Sequence, residues 1–87
     1  MPRISSFYGI DVSMYWDEGD HELPHFHARY QGRWASVSMD GQLLAGRLPR
    51  RALDLLQDWI ALHRNELLAN WERARRYEPL VPIEPLA

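Results

Sequence analysis

The chain has 87 residues, too few to form two stable cores, and its length therefore predicts a single domain, residues 1–87. It has no cysteine, no apolar run of about 18 residues and no N-terminal signal pattern, so we exclude disulfides and expect a cytoplasmic protein without a membrane span. The formal net charge of −2 argues against non-specific binding to duplex DNA, so nucleic acid is a possible partner, through the arginine clusters, that the net charge does not support.

The first half of the chain predicts four β-strands, between about residues 3 and 48. From Tyr8 to Trp16 apolar and polar residues alternate, which is typical of a half-buried strand. After an acidic loop, the remaining strands are predicted at residues 25–31, 33–39 and 42–48. Asp40-Gly41 predicts a type I′ turn between the last two strands. Short connections throughout favour an antiparallel meander.

The second half predicts helices that cover one face of this sheet. Apolar residues recur at helical spacing from Pro49 to Arg76. One straight helix of this length would be about 42 Å long, whereas a compact domain of this size is roughly 30 Å across. We therefore predict a break at residues 63–65, with Asn65 capping a second helix. The expected fold class is α+β, a four-stranded meander packed against two C-terminal helices (ββββαα).

The last eleven residues predict an extended tail. Pro79, Pro82 and Pro85 recur every third residue in residues 77–87, a spacing that favours polyproline II over helix or strand. The apolar side chains between these prolines need a surface to pack on. That surface belongs either to this domain or to a partner.

Three of the four histidines lie close together around Pro24, in the stretch "HELPHFH". If Phe26 faces the core, strand alternation places His25, His27 and Arg29 on the opposite face. Residues two positions apart on one face of a strand lie roughly 6 to 7 Å from each other. At this separation two imidazole rings can act on the same ligand or the same metal ion.

Three interpretations of these histidines remain open. His25 and His27 can bind Zn²⁺ or Ni²⁺ with a third ligand from the loop, either His21 or a neighbouring carboxylate. They can also serve as general base and general acid of a nuclease, with Arg29 neutralising phosphate charge. The simplest interpretation is that both are polar residues on a face that contacts solvent or a partner.

A second candidate contact is the cluster Arg47, Arg50 and Arg51, where the last strand meets the first helix. Guanidinium groups beside free N–H groups at a helix start can bind an anion or an acidic partner. The alternative is that Arg50 and Arg51 are exposed residues of the first turn that pair with Asp54.

Several stretches together resemble one family of small bacterial proteins, domain of unknown function 4160: they are "ISSFYGIDVSMYW", "PHFHARY", "GRLPRRAL", "LLANWERAR" and "PIEPL". The resemblance implies a short cytosolic protein, often encoded beside a domain of unknown function 2442 protein in arrangements similar to toxin–antitoxin pairs. It implies no reaction and no catalytic residue. The positions that it marks for function are Pro24, His25, Phe26, His27, Tyr30, Pro49, Arg50 and Arg51. One departure is the loop "DEGDHELPHFH", which lacks an expected proline pair and so changes how His21 is presented.

These observations favour a protein-interaction module over an enzyme, because the sequence has no complete catalytic constellation. We expect its partner to be encoded by a neighbouring gene, as one component of a pair similar to a toxin and its antitoxin. An exposed edge strand in so small a sheet also favours a homodimer. The alternatives are a nuclease or metal-dependent hydrolase centred on His25 and His27, and a metal-binding domain without catalysis.

Overall fold

Five strands form one antiparallel sheet in the computed structural model, which describes residues 2–15 and 23–87. The strands, adjacent in space in chain order, are β1 (Arg3–Phe7), β2 (Ile10–Ser13), β3 (His25–Tyr30), β4 (Arg33–Ser38) and β5 (Leu43–Gly46). One helix, α1 (Arg50–Arg75), follows them. The predicted α+β class with an antiparallel sheet is confirmed. The details differ: the sheet has five strands where four were predicted, and the two predicted helical segments join at a kink within one helix.

The additional strand arises from a turn at Tyr8 and Gly9. Both residues have positive φ, 52° and 79°, and Phe7 lies directly opposite Ile10. This is the geometry of a two-residue type I′ hairpin turn. The sequence alternation continues through this turn, and a left-handed Tyr is uncommon, so the predicted strand began in the wrong place. Its predicted end, Trp16, lies outside the described residues.

The predicted type I′ turn at Asp40-Gly41 is also wrong, because only Gly41 of this pair has positive φ, at 86°. The Gly41 amide donates to the Ser38 carbonyl at 3.0 Å, and the Ser38 amide donates to the Gln42 carbonyl at 2.9 Å. These bonds define a three-residue loop that ends in a left-handed glycine. A second turn with two positive φ values lies instead at Gln31-Gly32, between β3 and β4.

A kink at His63 lets one long helix fit the molecule. The 26 residues of α1 would form a straight rod of about 39 Å, but the longest dimension of the chain is 33 Å. His63 has non-helical angles, φ −128° and ψ 23°, and α1 continues beyond it. The predicted change of direction at residues 63–65 therefore occurs within one helix. Asn65 lies inside α1 and caps no second helix.

The core lies between one face of the sheet and α1, with Trp59 at its centre. The Trp59 ring is fully buried, and its centroid lies 5.1 Å from that of Phe7 and 6.0 Å from that of Phe26. Its indole N–H donates to the Glu84 carbonyl at 2.8 Å, so the same residue also holds the tail. A buried indole usually has such a partner for its N–H group.

The tail packs on the chain's own domain. Ile83 is buried, and its amide donates to the Ile4 carbonyl of β1 at 2.8 Å. The side chain of Asn70, fully buried in α1, donates to the Val81 carbonyl at 2.8 Å and accepts from the Val81 amide at 2.9 Å. The tail therefore packs on the surface of its own domain, one of the two possibilities that the sequence left open. In the described part of the chain, no helix has the length and apolarity needed to cross a membrane.

We expect Asn70→Ala to lower the free energy of unfolding by about 1–3 kcal/mol, because it removes both hydrogen bonds that fix Val81. The control is Asn65→Ala, which makes the same change of helix propensity at an exposed position of α1. Urea denaturation of both variants measures the difference. Equal stability of the two variants would contradict the role assigned to Asn70.

Candidate functional site

In β3, His27 and Arg29 lie on the face of the sheet opposite the core, whereas the ring of His25, at the start of the strand, also contacts Trp71 of α1. Phe26 and Ala28 are buried, at 0% and 1% exposure, whereas His25 and His27 are half-buried and Arg29 is exposed. The predicted alternation of β3 is therefore confirmed. The histidines are less accessible to solvent than a free strand face would make them, because aromatic rings pack against both.

The two histidines belong to a small cluster of rings. The ring centroids of His25 and His27 are 5.4 Å apart, and Tyr15 packs edge-on against His27 at 4.6 Å. The ring of His25 also lies 5.1 Å from that of Trp71 in α1. His25 Nδ1 is 2.9 Å from the Leu23 carbonyl. In the neutral tautomer that donates from Nδ1 to this carbonyl, the lone pair of the His25 ring lies on Nε2.

The predicted metal site cannot be assembled from the described residues alone. Within residues 2–15 and 23–87, no group of three His, Cys, Asp or Glu side chains could hold a metal ion. The third predicted ligand, His21, and its neighbours Asp20 and Glu22 lie outside the described residues. The predicted Zn²⁺ or Ni²⁺ site at His25, His27 and His21 stays a prediction, as does the catalytic role of His25, His27 and Arg29.

A pocket of about 580 Å³ opens on the same face of the sheet. Its lining includes Arg3, Asp11, Ser13, His27, Arg29 and Trp34. The pocket brings together two of the predicted candidates, His27 and Arg29. His25 does not line it and packs instead on Trp71.

Strand register explains how this pocket forms. Across β2 and β3, Asp11 lies opposite Arg29, and across β3 and β4, Arg29 lies opposite Trp34. Asp11 is already engaged, since Arg3 Nη1 lies 3.4 Å from its Oδ1 and the Ser6 hydroxyl donates to Oδ1 at 2.7 Å. Arg29 forms no ion pair with any residue of the described ranges.

Sequence reasoning missed the pocket residues contributed by β1, β2 and β4. No sequence motif marks Trp34 as a functional residue, although it is 52% exposed on the outer face. One signal was available: the two-residue turn at Gln31-Gly32 fixes the register of β3 and β4, and this register places Trp34 opposite Arg29. No such short turn links β2 to β3, so Asp11 and Ser13 gave no comparable signal.

The predicted arginine cluster lies where β5 leads into α1. Arg50 Nε is 3.1 Å from Asp54 Oδ1, so this residue makes the surface pair that the sequence suggested. Arg47 and Arg51 are exposed and form no ion pair with other described residues. The first turn of α1 contains no acidic side chain. This corner of the molecule is therefore locally positive despite the negative net charge.

The two edges of the sheet differ. The β1 edge accepts a hydrogen bond from Ile83 of the tail. At the other edge, no described strand pairs with the outer side of β5. All four residues of β5 are exposed, including Leu43 and Leu44 at 40% and 43%. The open edge is thus apolar along the strand and positively charged at its end.

A family model described as "Domain of unknown function (DUF4160)" matches residues 9–72, which confirms the resemblance seen in the sequence motifs. The match includes β2 to β5, the histidines and most of α1. Searches among curated proteins and among solved structures returned no match.

We expect His25→Ala to destabilise the fold by about 1–2 kcal/mol, because His25 packs on Trp71 and its Nδ1 contacts the Leu23 carbonyl. Arg29→Ala is the control on the same strand and face, and its effect should stay within about 0.5 kcal/mol because Arg29 is exposed. Urea denaturation checks both values. An unchanged stability of His25→Ala would contradict the packing role.

Proposed function

Because the chain belongs to the DUF4160 family, whose description names no activity, we propose its function from the surfaces that the fold leaves accessible. We propose a protein-interaction module that accepts a short extended segment of a partner protein along the open edge of β5. The observation that carries this proposal is the difference between the two edges of the sheet. The tail is bonded to β1, whereas β5 pairs on one side only within the described chain.

An open edge strand binds through its backbone. Its outward N–H and C=O groups can form a further ladder with an extended peptide, while the side chains beside the ladder select the sequence. The strand β5 has four residues, so the segment that it accepts is about four residues long, or roughly 13 Å. The exposed side chains of Leu43 and Leu44 favour apolar residues in that segment.

Charge at the end of β5 indicates an acidic partner segment. Arg47 and Arg51 are exposed without ion pairs in the described structure, and the positive end of the α1 dipole lies beside them. An acidic residue at the end of the partner segment that lies beside Gly46 would be next to these guanidinium groups. Such rim charges act mainly on the rate and specificity of association.

The partner that we propose is the product of the neighbouring gene, in a pair similar to a toxin and its antitoxin. The tail gives this proposal less support than its sequence suggested, since Ile83 is buried against the chain's own β1. The open β5 edge now provides the main support. A second copy of the chain is the other occupant that this edge could accept.

Size-exclusion chromatography with light scattering tests the partnership. We expect the chain and the neighbouring gene product to elute together at micromolar concentration, with a mass equal to that of a one-to-one complex. Separate elution would contradict the proposed partner. A mass of twice the chain in the absence of the other protein would show that the chain forms a homodimer, the other occupant considered for this edge.

The variant Leu44→Asp tests the site of binding. We expect it to weaken the complex at least about tenfold, because it places a carboxylate in the apolar contact. Leu62→Asp is the matched control, since Leu62 is 68% exposed on α1, away from β5. Calorimetric titration with the partner measures both affinities. Equal affinities of the two variants would exclude the β5 edge as the docking site.

A further inference from the structure

Trp34 is an exposed aromatic residue on the outer face of the sheet, away from the core. Trp34 is 52% exposed, and no ring of the described residues packs against it. It follows the left-handed Gln31-Gly32 turn closely and lies on the face opposite the core, since its neighbour Ala35 is fully buried. The core therefore does not explain a tryptophan here. An exposed indole on an open sheet can stack on another flat ring.

The pocket beside Trp34 is positively charged. Its lining includes two guanidinium groups and one carboxylate, and Arg3 is paired with that carboxylate, Asp11. The other guanidinium group, that of Arg29, has no ion pair with the described residues. It lies directly opposite Trp34 across β3 and β4. Arginine is suited to phosphate because its planar group can donate two parallel hydrogen bonds.

The Trp34 ring and the Arg29 side chain are close enough to contact one small ligand. Directly opposite residues on one face of an antiparallel pair have Cβ atoms about 4.5–5.5 Å apart. A ring that stacks on Trp34 therefore places its substituents within reach of the Arg29 side chain. The pocket volume of about 580 Å³ is within the range of small-molecule sites.

We infer that this pocket binds a nucleotide, with the base stacked on Trp34 and the phosphate bound by Arg29. The hydroxyl of Ser13 and the ring of His27, which also line the pocket, provide polar groups for the sugar and phosphate. The nucleotide is either free or one unit of single-stranded RNA, because both present the same base and phosphate. This site is on a different surface from the β5 edge and does not depend on the proposed partner.

Isothermal titration calorimetry with four probes tests the ligand class: AMP, adenosine, inorganic phosphate and hexa-adenylate RNA. We expect AMP to bind at least about tenfold more tightly than adenosine or phosphate, because, of these three, only AMP has both a base to stack on Trp34 and a phosphate for Arg29. Tighter binding of the hexamer than of AMP would identify an RNA strand as the source, and equal or weaker binding a free nucleotide. No saturable binding of AMP or of the hexamer at millimolar concentration would overturn the inference.

Variants test the two contacts separately. Trp34→Ala should weaken AMP binding by about 5- to 150-fold, the range found for loss of one base–aromatic stack, while Trp34→Phe should retain most of it. Arg29→Gln should weaken AMP binding about tenfold. For the hexamer it should also reduce the slope of log K against log salt concentration by about one, the change expected for the loss of one phosphate contact. Arg76→Gln, which removes an exposed arginine at the C-terminal end of α1 and outside the pocket, should change neither value. Wild-type affinity in both Trp34→Ala and Arg29→Gln would refute the site.

Discussion

Burial of the Trp59 ring is the interaction on which the rest of the structure depends. It contacts Phe7 in β1 and Phe26 in β3, and its indole N–H holds the tail through the Glu84 carbonyl. Truncation of a buried tryptophan typically costs about 3–5 kcal/mol, a large share of the stability of a small domain. Because strand residues alternate, the contact that turns Phe26 inward also turns His27 outward. The position of the functional face follows from this core contact.

Packing of α1 on only one face of the sheet decides which surfaces are available for function. The helix α1 covers one face of the sheet and the tail is bonded to β1, whereas the outer face and the β5 edge remain accessible in the described structure. These accessible surfaces have different chemistry. The outer face offers an indole, a guanidinium without an ion pair to the described residues and the half-buried imidazole of His27 around a pocket, which suits a small anionic ligand with a flat ring. The edge offers backbone groups and leucines, which suit a peptide.

The sequence predicted the local pattern of β3 well because alternation is a property of neighbouring residues. It did not predict the Tyr8-Gly9 turn, since positive φ at a tyrosine has no sequence signal and the apolar alternation continues through it. Chain length predicted that the helical region bends, and the capping potential of Asn65 placed the bend at residues 63–65; the structure has the non-helical angles at His63. The contacts on either side of the bend could not be read from the sequence. Arg64, for example, donates to the Met39 carbonyl and to Asp40 in the loop before β5. The pocket depends on the register of four strands, β1 to β4, and none of these registers was predicted from the turns between them.

Hydrogen–deuterium exchange of the free chain and of its complex with the neighbouring gene product tests the central claim, that β5 is the open edge of the sheet. In the free chain, the amides of residues 43–46 should exchange faster than those of β1, which the tail covers. Addition of the partner should slow exchange at residues 43–46 and leave β1 unchanged. Formation of a stable complex with no change in exchange at β5 would contradict the account.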